Sequence, residues 1–197
     1  SGQPLLMAGA HEDITARKTS QEEARRTVER RQREAEVVAR MATGSAHLAG
    51  DLSSLASTLT ESAAAAITVE RVGIWLFEDG GTRLVNMDTY DASTRTHTSG
   101  DTLSEAEFHN EFAALKDVQY VDAHDALSDP RTAGYVEGYL KPHTITSMLD
   151  AVIRHGGVTL GKLCFEHVRV SHHWESDETA FACQLADQIA MAILNTE

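Results

Sequence analysis

The chain has 197 residues, of which 42% are hydrophobic and 24% are charged, and its formal net charge at pH 7 is −13. These values are typical of a soluble globular protein with room for one ordinary domain and an additional segment. The acidic charge disfavours a nucleic-acid-binding surface, because it repels the phosphate backbone. No apolar run approaches the roughly 18 residues that a membrane-spanning helix needs, so we expect no membrane contact by these residues.

Residues 1–18 contain the run "LLMAGAHEDITARK", which predicts one strand followed by a polar turn. A single strand is not stable on its own. We therefore expect this part to be the last piece of a domain that lies upstream.

Residues 19–66 predict a long helix, because helix-forming residues dominate and proline is absent. Ser20 and Glu23 fit a capping box at its start. Small and apolar residues recur at alternating spacings of three and four, with a stammer near residues 44–50, which predicts a weak coiled-coil seam. The seam residues are Ala24, Val28, Ala35, Val38, Leu48, Leu52, Leu55 and Leu59. We expect the first half to pair with a second chain and the second half to pack on the following domain; the alternative is an ordinary amphipathic helix on its own domain.

From residue 70 onward, strand and helix signals alternate. Strands are predicted in "RVGIWLFED" and "TRLVNMDTYD", joined by a turn at "DGG", and a third strand is predicted in "RTHTSGDTL". Helices are predicted in "SEAEFHNEFAAL", opened by Ser104, and in "DPRTAGYVEGYLKPH". A short strand, "QYVDAHDAL", lies between these two helices.

The run "TITSMLDAVIRHGGVTLGKLCFEHV" predicts a hairpin that turns at Gly156 and Gly157. A three-residue loop would place Asp150 opposite Lys162 as a cross-strand ion pair. A two-residue loop would place Asp150 opposite Leu163 and leave the carboxylate free to face a ligand. The sequence does not choose between these registers.

The last predicted element is a helix in "ESDETAFACQLADQIAMAILNTE", which is periodic through Phe181, Leu185, Ile189 and Ile193 and is capped by Ser176. In chain order, the elements predict an α+β fold in which helices flank an antiparallel sheet, with a long N-terminal helix.

The stretch "LCFEHVRVSHHWESDE" is rich in potential metal ligands and nucleophiles. On a strand, Cys164 and His167 point to opposite faces, which disfavours a shared metal ion. Nothing in the neighbouring sequence lowers the pKa of Cys164, and Cys183 also has apolar neighbours, so we expect two buried thiols in a reducing compartment. We therefore predict no metal site and no catalytic residue. Haem stays open as a cofactor, since ten histidines offer axial ligands but no motif selects one.

Three runs of the chain resemble GAF domains, and more narrowly those of bacterial multidomain sensor kinases and cyclic-di-nucleotide signalling enzymes. These runs are "VERVGIWLFED", "DPRTAGYVEGYLKPHTITSMLDAVIRHGGVTLGKLCFEHV" and "WESDETAFACQLADQIAMAI". The resemblance covers residues 46–195, and its best marks are "SMLDAVI", "GKLCFEHV" and the pattern W-x-x-DE-x-x-FA. The sequence departs from similar domains at Phe165, where they often carry histidine, and at His143, where they often carry glycine.

The opening run "GAHEDITARKTSQEEARR" is similar to the closing strand and exit motif of a PAS domain. In that resemblance, Asp13, Ile14 and Thr15 join the strand to a signalling helix. The two resemblances together imply a PAS remnant at residues 1–18, a signalling helix at residues 19–45 and a GAF domain at residues 46–197.

The resemblance implies a cytoplasmic sensory module of a bacterial signal-transduction protein, such as a two-component sensor kinase or a nucleotide cyclase. The module would bind or relay a small-molecule signal through dimeric helices to an output domain outside this chain, and would not itself be an enzyme. Two alternatives remain open. One is a passive dimerisation and relay module without a ligand, and the other is a small-molecule enzyme on a GAF fold.

The resemblance also places a ligand pocket between the sheet and residues 97–142, a stretch that is rich in aromatic residues. The candidate ligand-binding residues are Phe108, Phe112, Tyr120, Asp122, Tyr135, Tyr139, Met148 and Asp150. The alternative is that the aromatic residues among them simply form core.

Overall fold

The computed structural model describes residues 5–44 and 51–195, and it describes side chains for residues 14–43 and 51–195. The helices are α1 (Leu5–Gly44), α2 (Leu52–Ile67), α3 (His109–Asp117) and α4 (Ser176–Leu194). The strands are β1 (Arg71–Glu78), β2 (Arg83–Asp91), β3 (Thr96–Thr98), β4 (Thr102–Ser104), β5 (Tyr120–Ala123), β6 (Ile145–His155) and β7 (Val158–Val168). Short 3₁₀ turns lie at Asp79–Gly81 and Pro130–Thr132, and one π-helical turn lies at Val136–Leu140.

The seven strands form one antiparallel sheet in the order β3-β2-β1-β7-β6-β5, with β4 paired to β2. Helices α2 and α4 cover one side of this sheet, which we call the helix face. Helix α3 and residues 124–144 cover the other side, which we call the loop face. The predicted α+β fold, with helices that flank an antiparallel sheet and a long N-terminal helix, is confirmed.

The helix-face core is built from the periodic apolar residues of α2 and α4. Leu59 and Leu185 are at most 1% exposed and pack with Phe165 of β7. Helix α4 begins one residue earlier than we expected, because Glu175 is its N-cap and forms a capping box with Glu178. The prediction that Ser176 caps this helix is therefore wrong, since a glutamate side chain reaches the same backbone donors.

Two helix predictions on the loop face are wrong in detail. Helix α3 begins at His109, and the predicted cap Ser104 instead closes β4. The run "DPRTAGYVEGYLKPH" forms only the short 3₁₀ and π turns. Two glycines and a second proline lower its helix propensity. In addition, Gly134 lies so close to the buried Glu111 that a β-carbon there would be 2.6 Å from its carboxylate oxygens.

The N-terminal prediction of a strand and a turn is also wrong, because α1 is already helical from Leu5. Residues 5–44 contain no proline, and no neighbouring strand is available within the described residues. Ser20 consequently lies inside the helix and not at its cap. The exposed part is supported by ion pairs along the helix, such as Arg25 with Glu22 and Glu29 at 2.7 and 3.1 Å.

The seam residues separate into two groups. Leu55 and Leu59 are buried in their own domain, and Leu52 is half-buried against the same core. This confirms that the second half of the helical segment packs on the domain. The placement of these three leucines in a dimer seam is therefore wrong. In the first half, Val28 is 65% exposed, whereas Val38 packs partly against the helix-face core. Ala24 and Ala35 are exposed. Leu48 and the stammer at residues 45–50 lie outside the described residues.

The β6–β7 hairpin turns through two residues, Gly156 and Gly157, whose φ values are 57° and 83°. A bulge next to the turn then shifts the register by one residue, so that Asp150 lies opposite Cys164. Both predicted registers are therefore wrong, because no residue near the turn signals the bulge. The ion pair with Lys162 forms all the same, since residues diagonal across an antiparallel pair share a face.

Candidate functional site

A row of polar side chains runs along β7 through the loop-face core. Lys162, Cys164 and Glu166 occupy alternate positions of this strand, so all three point to the loop face, and Asp150 of β6 joins them. Each of the four is at most 2% exposed. Lys162 Nζ lies 2.7 Å from Asp150 Oδ2. Ionic groups are rarely buried unless they are paired, so this row is an unusual feature for a core.

Glu166 lies at the end of the row beside Arg71 and contacts three other side chains. Its Oε1 accepts a hydrogen bond of 2.6 Å from the Tyr139 hydroxyl and lies 3.4 Å from Cys164 Sγ, while its Oε2 lies 3.4 Å from Arg71 Nε. Burial and the Glu166 carboxylate raise the pKa of Tyr139, which therefore stays protonated and donates. Arg71 lies directly opposite Glu166 in the β1–β7 register. The two charges are thereby held together by the backbone pairing itself.

The inner end of the row contains two buried polar atoms that have no hydrogen-bond partner among the described residues. They are Asp150 Oδ1 and the Tyr135 hydroxyl. Lys162 Nζ lies 4.9 Å from the centre of the Tyr135 ring, a cation–π contact. Burial acts to lower the pKa of Lys162, but the Asp150 carboxylate outweighs it and the pKa is raised, so Lys162 remains charged. One acceptor and one hydroxyl therefore lie buried and unpartnered next to an ion pair.

The structure brings six of the eight candidate ligand-binding residues to the loop-face core. Phe108, Phe112, Tyr135, Met148 and Asp150 are buried there, and Tyr139 is half-buried at its edge. The aromatic rings contact one another, with centroid distances of 5.2 Å for Phe108 and Tyr135 and 6.2 Å for Tyr135 and Tyr139. These side chains thus form core, and whether they also contact a ligand stays a prediction.

The other two candidates lie apart from this cluster. Tyr120 is exposed on the edge strand β5. Asp122 points to Arg131, whose Nη1 lies 3.1 Å from Asp122 Oδ1. Arg71 and Glu166 were not predicted as members of the site. For Glu166 a signal was present, because a second charged residue lies on the same face of the same core strand.

A surface cleft of about 410 Å³ lies beside the Glu166 end of the row. Arg71, Asp91, His143 and Arg169 contribute to its walls. The His143 ring lies 5.1 Å from the ring of Tyr139, whose hydroxyl donates to Glu166. Two residues of the cleft wall, Arg71 and His143, therefore contact the Glu166 end of the row.

The two thiols lie on opposite sides of the sheet. Cys164 belongs to the loop-face core, whereas Cys183 of α4 packs partly against the helix-face core. Burial and the Asp150 carboxylate raise the pKa of Cys164, and burial raises the pKa of Cys183 to about 11. Both thiols are therefore protonated and poorly nucleophilic near neutral pH. Within the described residues, no group of three or more His, Cys, Asp or Glu side chains is placed to hold a metal ion.

Comparisons with solved structures agree with this architecture. The phycoerythrobilin-bound GAF domain of a cyanobacterial phytochrome is 17% identical, with a TM-score of 0.68, and the alignment covers 83% of this chain and 95% of that one. The GAF domain of a phosphoenolpyruvate-protein phosphotransferase from Coxiella burnetii is 17% identical, with a TM-score of 0.64 and coverages of 83% and 94%. The free methionine-R-sulfoxide reductase of Neisseria meningitidis, solved with its substrate, is 12% identical, with a TM-score of 0.66 and coverages of 83% and 89%.

Among curated proteins, no sequence matches this chain significantly. None of the helices within residues 5–44 and 51–195 combines the length and apolarity that crossing a membrane requires. The GAF domain family model matches residues 51–193, which is most of the chain. The chain therefore belongs to the GAF domain family.

Proposed function

We propose that this protein is a sensory and regulatory GAF domain of a bacterial signal-transduction protein, and that it binds a small polar molecule on the loop face. The observation that carries the proposal is the pair of unpartnered atoms, Asp150 Oδ1 and the Tyr135 hydroxyl, in the buried polar row. A buried polar group without a partner destabilises the fold by about 1–3 kcal/mol. A molecule that donates one hydrogen bond to Asp150 and shares another with Tyr135 would remove both penalties.

Two features of the site support a bound molecule over a purely structural role. The charged row is more elaborate than packing requires, since well-packed apolar residues commonly stabilise a core as well as a buried ion pair does. A surface cleft whose wall includes Arg71, the partner of Glu166, also lies next to one end of the row. Domains of the same fold are known with small molecules bound, as the bilin and substrate complexes named above illustrate.

The thiols argue against covalent chemistry at this site. Cys164 is buried and protonated, and Cys183 lies across the sheet, so the two cannot act as a dithiol pair. We therefore place a non-covalent ligand ahead of an enzyme. The second candidate is a passive relay module, which the close contacts among Phe108, Tyr135 and Tyr139 favour.

We further propose that the ligand signal reaches an output domain through helices in a homodimer. Residues 14–29 of α1 are exposed or half-buried in the single chain, and Val28 is 65% exposed. A charged helix with so thin an apolar stripe is marginal in water by itself, and a second copy packed along Ala24, Val28 and Ala35 would stabilise it. Replacing Val28 by Arg should then shift a dimer to monomer in light scattering, whereas the same change at the exposed Thr19, on the opposite side of the helix, should not. Equal dimerisation of both variants would contradict the seam.

Native mass spectrometry of the freshly purified protein tests the ligand proposal, with an absorption spectrum of the same sample. We expect a stoichiometric added mass in the wild type that is lost in Tyr135→Phe, which removes one hydroxyl and keeps the ring. Tyr120→Phe, on the exposed edge strand, is the matched control and should retain the mass. A wild type without added mass that also shows no thermal shift with any member of a small-molecule panel would favour the relay module. Visible absorption would instead identify haem or another chromophore.

A further inference from the structure

Two charged pairs stand side by side at the end of the β1–β7 ladder and point to opposite faces of the sheet. Arg71 is opposite Glu166, and both face the loop side. The same register continued by one residue brings Glu70 to His167, and Glu70 Oε2 lies 2.9 Å from His167 Nδ1. Because consecutive residues of a strand point to opposite faces, this second pair lies on the helix side. The polar contacts on the two sides of the sheet are therefore linked here, because they belong to adjacent backbone positions.

On the helix side, the contacts continue from His167 to the start of α4. The His167 ring stacks on His172, with centroids 4.3 Å apart, and lies 5.3 Å from Trp174. His172 Nε2 lies 2.9 Å from Glu178 Oε2. Glu178 is 1% exposed, so the carboxylate end of this contact is buried while His172 lies nearer to the surface.

The contacts end on the N-terminal helix. Arg30 of α1 places Nη1 3.3 Å from Glu178 Oε1 and Nη2 2.7 Å from Asp177 Oδ2. Arg30 thus joins α1 to the carboxylate that also holds His172. Its neighbour Arg31 contacts Asp177 alone among these groups and is far more exposed, which makes it a matched control.

Helix α1 also packs on α2 and α4 through other contacts. Val37 and Met41 are its buried apolar side chains, and Arg33 Nε donates to the carbonyl of Ala66. Arg30 Nε and Glu34 Oε1 are buried and 3.5 Å apart, yet neither has a hydrogen-bond partner among the described residues. A polar contact that is only partly satisfied is a place where two packings can have similar free energies.

We infer that Arg30 is a latch between α1 and the domain, and that the contacts from Tyr139 through Glu166, Arg71, Glu70, His167, His172 and Glu178 couple the loop-face site to this latch. The Tyr139 hydroxyl orients Glu166, which holds Arg71 at the strand end. A displacement of Arg71 is passed to Glu70 through the shared backbone, and from Glu70 to His172 and Glu178. The inference goes beyond the proposed function, since it requires no ligand and holds equally for a relay module.

Hydrogen exchange of residues 31–43 in the ligand-free protein reports the opening of the latch. Arg30→Gln should raise these exchange rates about tenfold, the factor expected when one hydrogen bond to a charged group is lost. Arg31→Gln should leave them near the wild-type rates. Equal rates in the two variants would remove Arg30 from its assigned role.

The coupling is tested by Tyr139→Phe, with Tyr135→Phe as the matched control. Both changes remove one hydroxyl from the loop-face core, but only the Tyr139 hydroxyl bonds to Glu166. Tyr139→Phe should raise exchange in residues 31–43 by about threefold, a typical size for coupling through contiguous packed groups. Tyr135→Phe should not. No change in Tyr139→Phe, or the same change in both variants, would overturn the inference.

Two further variants separate coupling from general loosening. In the Arg30→Gln background, Tyr139→Phe should have no additional effect on residues 31–43, because the latch is already open. His172→Gln removes the contact between His172 and Glu178 on the helix side of the sheet and should also raise the hydrogen exchange of α1. In each case, exchange within β6 must remain at the wild-type level. Additive effects, or a His172→Gln protein with an unchanged α1, would contradict the inference, whether or not a ligand is found for the site.

Discussion

The two faces of the sheet use different chemistry to fill the same kind of space. The helix-face cluster consists of aliphatic, alanine and aromatic side chains, for which Leu59, Phe165 and Leu185 are representative. The loop-face cluster surrounds the buried ions Asp150, Lys162 and Glu166. A core that only has to exclude water needs no ions. The helix side also buries charges such as Glu178, which contacts Arg30 of α1, and we propose that the loop face keeps its own charges for ligand binding.

The largest expected effect comes from breaking the buried ion pair. Lys162→Met leaves the Asp150 carboxylate buried without its cation and should lower the free energy of unfolding by about 3–5 kcal/mol. The double variant Asp150→Leu with Lys162→Met removes both charges and should recover most of this loss. Urea unfolding of the three proteins measures both effects. A double variant as unstable as the single one would show that the pair is structural and would weaken the contrast between the faces.

A cavity on the helix face should have a slightly smaller effect. Leu59 is 1% exposed, and Leu59→Ala should lower the free energy of unfolding by about 2–4 kcal/mol through lost burial and a residual cavity. The stoichiometric added mass seen in native mass spectrometry should be unchanged at temperatures where the variant is folded. Leu127→Ala, at a residue that is 41% exposed, serves as the control and should change stability by less than about 0.5 kcal/mol. A helix-face cavity that abolished ligand binding in a folded protein would contradict the division of roles.

The latch predicts a dependence on pH. Burial alone would raise the pKa of Asp177, but hydrogen bonds from Arg30 and Arg31 lower it, and His172 does the same for Glu178 against the effect of burial. A lowered folded-state pKa stabilises the docked helix above the unfolded-state pKa values, near 4, and this contribution is lost as the pH falls through the folded-state values. Hydrogen exchange of residues 31–43 between pH 6 and pH 3, corrected for intrinsic rates, should therefore show release of α1 in acid. Asp177→Asn should flatten that profile, and an unchanged profile would contradict the latch.

Glu34 should act in the opposite direction and more weakly. Burial and the neighbouring Asp177 raise its pKa, so its charge destabilises docking above the folded-state pKa and this penalty is relieved as the pH falls. Glu34→Gln should strengthen docking near neutral pH by less than about 1 kcal/mol. Slower exchange of residues 31–43 would confirm it. Glu36→Gln, at an exposed position of the same helix, is the control.

The long periodic elements could be predicted from the residues alone. The short run of β-branched and aromatic residues in "RVGIWLFED" and the i, i+4 spacing of Phe181, Leu185 and Ile189 identify β1 and α4, because a strand covered on both faces is apolar throughout and the helical period puts apolar side chains on one face. The run at residues 129–143 was harder, since its proline and aspartate signal a helix start while its two glycines oppose continuation. The N-terminal strand was wrong because short apolar runs fit helices and strands equally well.

The sequence by itself determined the fold class, the hairpin turn and the alternation that puts Lys162, Cys164 and Glu166 on one side of β7. Only the tertiary structure decided the rest. A single bulge set the partner of Asp150, and packing between distant elements brought Tyr139 to Glu166 and Arg30 to Glu178. The physical reason is that periodicity specifies which face of an element is buried, whereas the pairing of buried charges depends on register and on contacts between residues up to 148 positions apart.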